Sequence, residues 1–144
     1  YYDVSWCMNV GEKIDPEYEK WFQIVYEARE DARQFIQARL DAGEKVRGYE
    51  VDRRLKERFE QLGCAQYLMH RTGHNIGHRC HGIGANLDDY ETHDDRCLLP
   101  GTMFSIEPGL YTDKYGVRLE YDVHITSEGE TKVYGPVQDE ILVI

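Results

Sequence analysis

The chain has 144 residues, 41% hydrophobic and 31% charged, and its 27 acidic against 17 basic side chains give a formal net charge of −10. That length suits a single domain with a core of its own, and the acidic balance argues against a nucleic-acid groove or an anionic membrane surface as partner while suiting a cation site. Four cysteines without CxxC spacing, Cys7, Cys64, Cys80 and Cys97, fit reduced thiols in a cytoplasmic protein, and no apolar run approaches the roughly 20 residues of a membrane span.

The opening "YYDVSWCMNV" (1–10) is apolar and aromatic and reads as a strand. It has no initiator methionine and no polar lead-in, so the chain is expected to be a piece of something longer. Helix-start signals follow, with Asp15 as N-cap, Pro16 at the first helical position and Glu17 and Glu19 in the first turn. Apolar residues at Trp21, Val25, Ala28, Ala32, Phe35 and Ile36 predict a long amphipathic helix whose stripe is core and which Gly43 ends. A second helix carries Val51, Leu55, Phe59 and Leu62 on one side, with Gly63 as its C-terminal cap. From there the texture is strand and loop: "TMFSIEPGLY", then "GVRLEYDVHIT", with Gly116 and "SEGE" (127–130) as turn signals. A strand, two helices and then antiparallel strands predict an α+β fold rather than alternating βαβ units.

Between the second helix and the strands, "HRTGHNIGHRCHG" (70–82) holds four of the chain's 6 histidines. His74 and His78 have the i, i+4 spacing of a zincin helix, but Asn75 stands where that motif needs its glutamate. Gly73, Gly77, Gly82 and Gly84 would each cost a helix interior about 1 kcal/mol relative to alanine. An extended segment is therefore expected, with His70, His74 and His78 on one side and His81 on the other, which argues against a single four-histidine site. Glu107 in "FSIEPG" and Glu120 in "GVRLEYDV" have two readings: each faces water on the polar side of a strand, or each is a buried carboxylate that must be paired, protonated or metal-bound. Pro108 and Gly109 pin the strand end that a fixed ligand at Glu107 would need.

Taken together, "HRTGHNIG" with His81 beyond it, "LLPGTMFSIEPGLY" and "GVRLEYDVHIT" closely resemble the C-terminal half of the pita-bread metallopeptidases, the creatinase/methionine aminopeptidase family. The prolidase and Xaa-Pro aminopeptidase branch is nearest, and the helix text "GYEVDRRLKERFEQLG" is similar to that branch. The resemblance implies two helices packed on a curved, mostly antiparallel sheet. It implies that residues 1–144 are the C-terminal part of a catalytic domain whose N-terminal part is absent. Two divalent metals are implied, Mn²⁺ foremost with Co²⁺ or Zn²⁺ as other occupants, held by Asp3, His74, Glu107 and Glu120; one further family aspartate falls upstream of this chain. Such a pair of cations balances the carboxylate charge, polarises a scissile carbonyl and lowers the pKa of a bound water.

The resemblance also implies that Glu107 shuttles a proton, that His81 contacts substrate, that His70 lines the site and that Arg118 interacts with substrate or orients the carboxylates. The implied activity is hydrolysis of Xaa-Pro bonds in a peptide or dipeptide, weak or lost in a chain of this length. The alternative is a non-catalytic module that keeps the fold for binding, against which the retained ligand positions speak. His78, His93 and His124 are read as structural or solvated. An apolar face left by the absent part of the fold implies a homodimer or larger species. Three departures from the family pattern, Gly82 after the second motif histidine, Ser5 and Trp6 in the opening strand, and Tyr121 after Glu120, are expected to adjust substrate fit or ligand hydrogen bonding rather than the metal site.

Overall fold

Helix α1 (Pro16–Asp41) begins where the sequence signals it: the Asp15 carboxylate accepts the Glu17 amide at 2.9 Å, and Pro16 opens the first turn. Past its end Gly43 takes φ +69°, a left-handed conformation that glycine adopts without steric cost. The buried face is Tyr18, Phe22, Val25, Ala28, Arg29, Ala32 and Ile36. Trp21 and Phe35, expected in the core stripe, are only partly buried at its flanks. The stripe is rotated because Tyr18 and Phe22 reach the core, while Trp21 packs edge-on against Tyr67 with centroids 5.4 Å apart. Helix α2 (Gly48–Gln61) lies against α1 and buries Val51, Leu55 and Phe59. Leu62 falls beyond the last helical residue and is exposed, contrary to expectation.

The computed structural model describes residues 2–144; Tyr1, placed by the sequence reading in the opening strand, lies outside the described residues. Of that expected strand only β1 (Met8–Asn9) forms a ladder. The preceding residues are tied down by single backbone bonds and by side chains instead. The Asp3 amide donates to Asp122 Oδ2 at 3.0 Å, the Glu120 amide to the Ser5 carbonyl at 3.1 Å, and the Cys7 amide to Gln138 Oε1 at 2.7 Å.

Strands β2 (Asn75–Ile76), β3 (Met103–Ile106), β6 (Tyr121–Ile125) and β7 (Thr131–Tyr134) form an antiparallel sheet in the order β2-β3-β6-β7. β4 (Gly109–Tyr111) and β5 (Gly116–Arg118) form a separate antiparallel pair, and β1 pairs in parallel with β8 (Leu142–Val143). The architecture is α+β, as the element order predicts. Side chains alternate across a strand, so Phe104, Ile106, Tyr121 and Val123 enter the core shared with α1, and Ser105 and Asp122, paired in register, fall on the opposite face. That second face carries the site.

Candidate metal centre

His74 lies next to Ser105 across the β2-β3 edge: the Ser105 amide donates to the His74 carbonyl at 2.9 Å, and the His74 amide to Ser105 Oγ at 3.0 Å. The same hydroxyl donates to Glu107 Oε1 at 3.0 Å, so one serine sets the spacing of the imidazole and the carboxylate. The chain before His74 is fixed by α2, whose buried Asp52 accepts both the amide and the hydroxyl of Thr72, at 2.8 and 2.6 Å.

His74 Nδ1 faces the Asn75 carbonyl at 3.3 Å. A carbonyl only accepts, which places the proton on Nδ1 and leaves the Nε2 lone pair for the site. Nε2 stands 3.3 Å from Glu107 Oε1 and 3.4 Å from Asp3 Oδ2. Donor atoms of His74, Glu107 and Glu120 all lie within 4.8 Å of one another.

Glu120 is 3% exposed, which overturns the water-facing reading of that residue. Ser5 Oγ donates to its Oε2 at 2.6 Å and accepts from Arg118 Nε at 3.0 Å. Burial, reinforced by the neighbouring Glu107 and Asp3 carboxylates and opposed by the Ser5 hydrogen bond, pushes the Glu120 carboxyl up to about 7. Glu107 is also largely shielded, its side chain 12% exposed, with Arg118 Nη1 at 3.9 Å from Oε2. Asp122 is fully buried; its Oδ2 takes the Asp3 amide, and among the described residues its Oδ1 has no hydrogen-bond partner. Carboxylates crowded about the His74 imidazole, with Arg71 and Arg118 in the cavity wall, suit a divalent cation: its charge would offset their repulsion and their desolvation.

A cavity of about 300 Å³ opens over these groups, with His70, His81, Arg118 and Glu91 in its wall. His81 does not point away from His74, as simple alternation expects; the two rings meet edge to face with centroids 4.3 Å apart. The segment turns back on itself, the Gly82 amide donating to the Asn75 carbonyl at 2.7 Å and the Gly84 amide to Asn75 Oδ1 at 3.0 Å. A Cβ at residue 82 would lie 2.1 Å from Asn75 Oδ1, so the departure at Gly82 is a steric requirement of Asn75.

His70 has both ring nitrogens engaged, Nδ1 with the Arg71 carbonyl at 2.7 Å and Nε2 with the Tyr111 hydroxyl at 2.8 Å. Gly109 makes room for that pair, since a Cβ there would come within 2.8 Å of both partners. His78 is exposed, His93 bonds Asp89 at 2.6 Å on the surface, and His124 sits 6.1 Å from the Tyr134 ring.

Sequence reasoning missed three residues here. Ser105 carried a signal, because it stands two positions before Glu107 and alternation gives them one face. Asp122 carried the same signal relative to Glu120. Cys80 carried none: its thiol donates to Asp3 Oδ2 at 2.7 Å, and that bond is the first cause pushing the thiol up to about 11.

Residues 1–127 match the family described as metallopeptidase family M24. The probable dipeptidase PepE of Mycobacterium tuberculosis is 36% identical over 90 residues, covering 61% of this chain and 23% of that protein. Among solved structures, the Xaa-Pro dipeptidase from Bacillus anthracis superimposes with a TM-score of 0.82 at 29% identity, covering 99% of this chain and 38% of that one. The X-Pro aminopeptidase from Thermotoga maritima gives 0.82 at 26% identity, with the same coverage of 99% and 38%. The chain thus spans about a quarter of the length of the curated relative and under two fifths of the solved ones.

Proposed function

Because this chain belongs to metallopeptidase family M24 and has its pita-bread fold, we propose that it carries four ligands, Asp3, His74, Glu107 and Glu120, of a two-metal centre that hydrolyses Xaa-Pro bonds. In this reading residues 1–144 are the C-terminal part of a catalytic domain. The observation that carries it is the convergence of the His74 Nε2 lone pair with shielded carboxylates within 4.8 Å. An oxygen-rich set with one imidazole suits Mn²⁺. The bound metals would polarise the scissile carbonyl and supply a water acidic enough to attack at neutral pH.

The remaining steps belong to the protein. Glu107 has Oε1 held by Ser105, which leaves Oε2 to take a proton from the attacking water and return it to the departing amine. His81, exposed at the cavity wall opposite His74, contacts the substrate beside the scissile bond. Arg118 holds Ser5, which in turn holds Glu120, and from the cavity wall its guanidinium would interact with the substrate. His70, with both nitrogens occupied, serves as wall. The Xaa-Pro specificity is supported by the two solved relatives, an Xaa-Pro dipeptidase and an X-Pro aminopeptidase.

The four cysteines are free, which supports the cytoplasmic compartment, and no described helix is long and apolar enough to cross a membrane. We also read the chain as self-associating through its exposed apolar edge.

The test is calorimetric titration with Mn²⁺ of this chain and of a Glu107→Gln, Glu120→Gln double variant, with release of proline from an Xaa-Pro dipeptide followed alongside. Binding that disappears in the variant supports the ligand assignment. Binding unchanged by the variant overturns it, and full Mn²⁺ occupancy without any hydrolysis, even in a chain extended to the length of the solved relatives, would leave a binding module in place of an enzyme.

A further inference from the structure

We propose that Cys80 and His81 join His74 and Asp3 in a second, sulfur-containing donor set that takes Zn²⁺ and competes with Glu107 and Glu120 for the shared His74 imidazole. The inference rests on Asp3 and His74 being ligands, as read above, and adds two ligands and a metal preference to them.

Donor atoms of Asp3, His74, Cys80 and His81 all lie within 4.8 Å of one another. Around a tetrahedral zinc, ligand atoms 2.0–2.3 Å from the metal stand about 3.3–3.6 Å from each other. The Cys80 thiol is already 2.7 Å from Asp3 Oδ2, and His74 Nε2 is 3.4 Å from the same oxygen. Closing the set therefore asks for side-chain shifts of about 1 Å.

The backbone path is itself built for this. Asn75 holds the returning segment with its carbonyl on the Gly82 amide and its Oδ1 on the Gly84 amide, while its Nδ2 donates to the Met103 carbonyl at 3.0 Å. Those bonds carry Cys80 and His81 over Asp3 and His74. Two further observations point to a cation at this spot: the Nε2 of an imidazole only 4% exposed, which faces Asp3 Oδ2 at 3.4 Å, and the Oδ1 of the fully buried Asp122, which has no hydrogen-bond partner among the described residues while its Oδ2 accepts the Asp3 amide.

Chemistry separates the two sets. A thiolate with two imidazoles and one carboxylate is a zinc environment, whereas His74, Glu107 and Glu120 offer the oxygen-rich ligation that Mn²⁺ prefers. On zinc binding the Cys80 S–H bond breaks, its proton leaves to solvent, and the sulfur lone pair forms the metal bond. Asp3 Oδ2, no longer accepting from the thiol, becomes free to ligate. His74 can point its one lone pair at only one metal, so zinc in this set draws the imidazole away from the carboxylates.

The test uses Co²⁺ as a spectroscopic stand-in for Zn²⁺, with calorimetry for Zn²⁺ and Mn²⁺, on the wild type and on Cys80→Ser, Cys97→Ser and Glu120→Gln. The expected result is a near-ultraviolet sulfur-to-cobalt charge-transfer band in the wild type, Cys97→Ser and Glu120→Gln that is absent in Cys80→Ser. Zn²⁺ affinity should fall at least 30-fold in Cys80→Ser while Mn²⁺ affinity stays within about threefold. A wild type that binds Mn²⁺ but gives no such band, or a Cys80→Ser variant that binds Zn²⁺ as well as the wild type, overturns the sulfur ligand and leaves the M24 reading standing. A chain that binds neither Mn²⁺ nor Zn²⁺ overturns both.

Discussion

Ser5 donates a 2.6 Å hydrogen bond to Glu120 across a sequence separation of 115, and Glu120 is 3% exposed. It is the hydrogen bond that opposes the burial of this carboxylate, and it comes from one of the positions where the chain departs from its family. A hydrogen bond to a charged group contributes about 1.5–3 kcal/mol, and loss of such a supporting contact typically costs a metal site about 10–100-fold in affinity. We expect Ser5→Ala to weaken Mn²⁺ binding by about tenfold at pH 7 in calorimetry. An unchanged dissociation constant would show that the hydroxyl is not supporting the ligand.

The raised Glu120 carboxyl fixes how the metal-free protein responds to pH. Its folded value of about 7 lies above the 4.5 of an ordinary glutamate, so between those values the folded chain holds a proton that the unfolded chain releases. Stability from this group is therefore fully present below about pH 4.5 and is lost as pH rises through about 7. Burial shifts Asp122 in the same direction. The carboxylates held low, Asp15 by Tyr115 and Lys114 and Asp94 by Arg96, titrate below this window. In chelator, Tm should fall by several degrees between pH 5 and 7.5, and Glu120→Gln should flatten that slope. With excess Mn²⁺ the slope should reverse, since ligation requires the deprotonated carboxylate. A Tm that rises with pH in chelator would contradict the assignment.

The helices were legible because their determinants are local: Asp15, Pro16 and Gly43 mark α1 within a few residues of its ends. The carboxylates were legible as a pattern, since alternation and the glycine-proline punctuation around Glu107 survive in one dimension. What escaped depends on contacts between distant segments. Ser5 reaches Glu120, Asp122 reaches Asp3 and Cys80 reaches Asp3 only after the opening segment has folded across β6. Tyr121, another departure, resolves differently. Its ring points into the core, the Arg29 guanidinium lies 4.5 Å from its centroid, and its hydroxyl donates to the Arg29 carbonyl. It therefore packs under α1, on the side of the sheet opposite Ser105 and Asp122.

The side on which His81 falls is set by a turn that local alternation does not describe, and that turn has a sharp steric test. A Cβ at residue 82 would meet Asn75 Oδ1 at 2.1 Å, and one at residue 84 would meet Asn75 Cγ at 2.6 Å. Gly82→Ala must push Asn75 out of its bonds to Gly84 and Met103, releasing the segment that presents Cys80 and His81. We expect protease cleavage between residues 77 and 84 to accelerate severalfold, with little change in Tm because the segment lies outside the core. Adding Asn75→Gly to Gly82→Ala removes the clash but not the lost bonds, so cleavage should remain fast in the double variant, while Asn75→Gly alone should match it. Full protection in Gly82→Ala would mean that Asn75 is not the clamp.

The last prediction concerns the edge where the chain's two ends meet. β1 and β8 form a two-rung parallel ribbon pairing Met8 with Leu142 and Asn9 with Val143. Around it Trp6, Met8, Val10, Leu142, Val143 and Ile144 are all exposed. Apolar side chains gathered on an unpaired strand edge favour burial against another surface and offer free backbone groups to a further strand. A second copy of the chain is the partner always present, and we expect sedimentation velocity at micromolar concentration to show a dimer or larger species. Met8→Lys with Leu142→Lys places like charges opposite each other on one rung of that ribbon and should shift the boundary toward monomer while leaving the proposed metal ligands untouched. Monomeric sedimentation of the unaltered chain would rule out self-association through this edge at that concentration. An unchanged oligomer in the lysine variant would move the interface elsewhere on the surface.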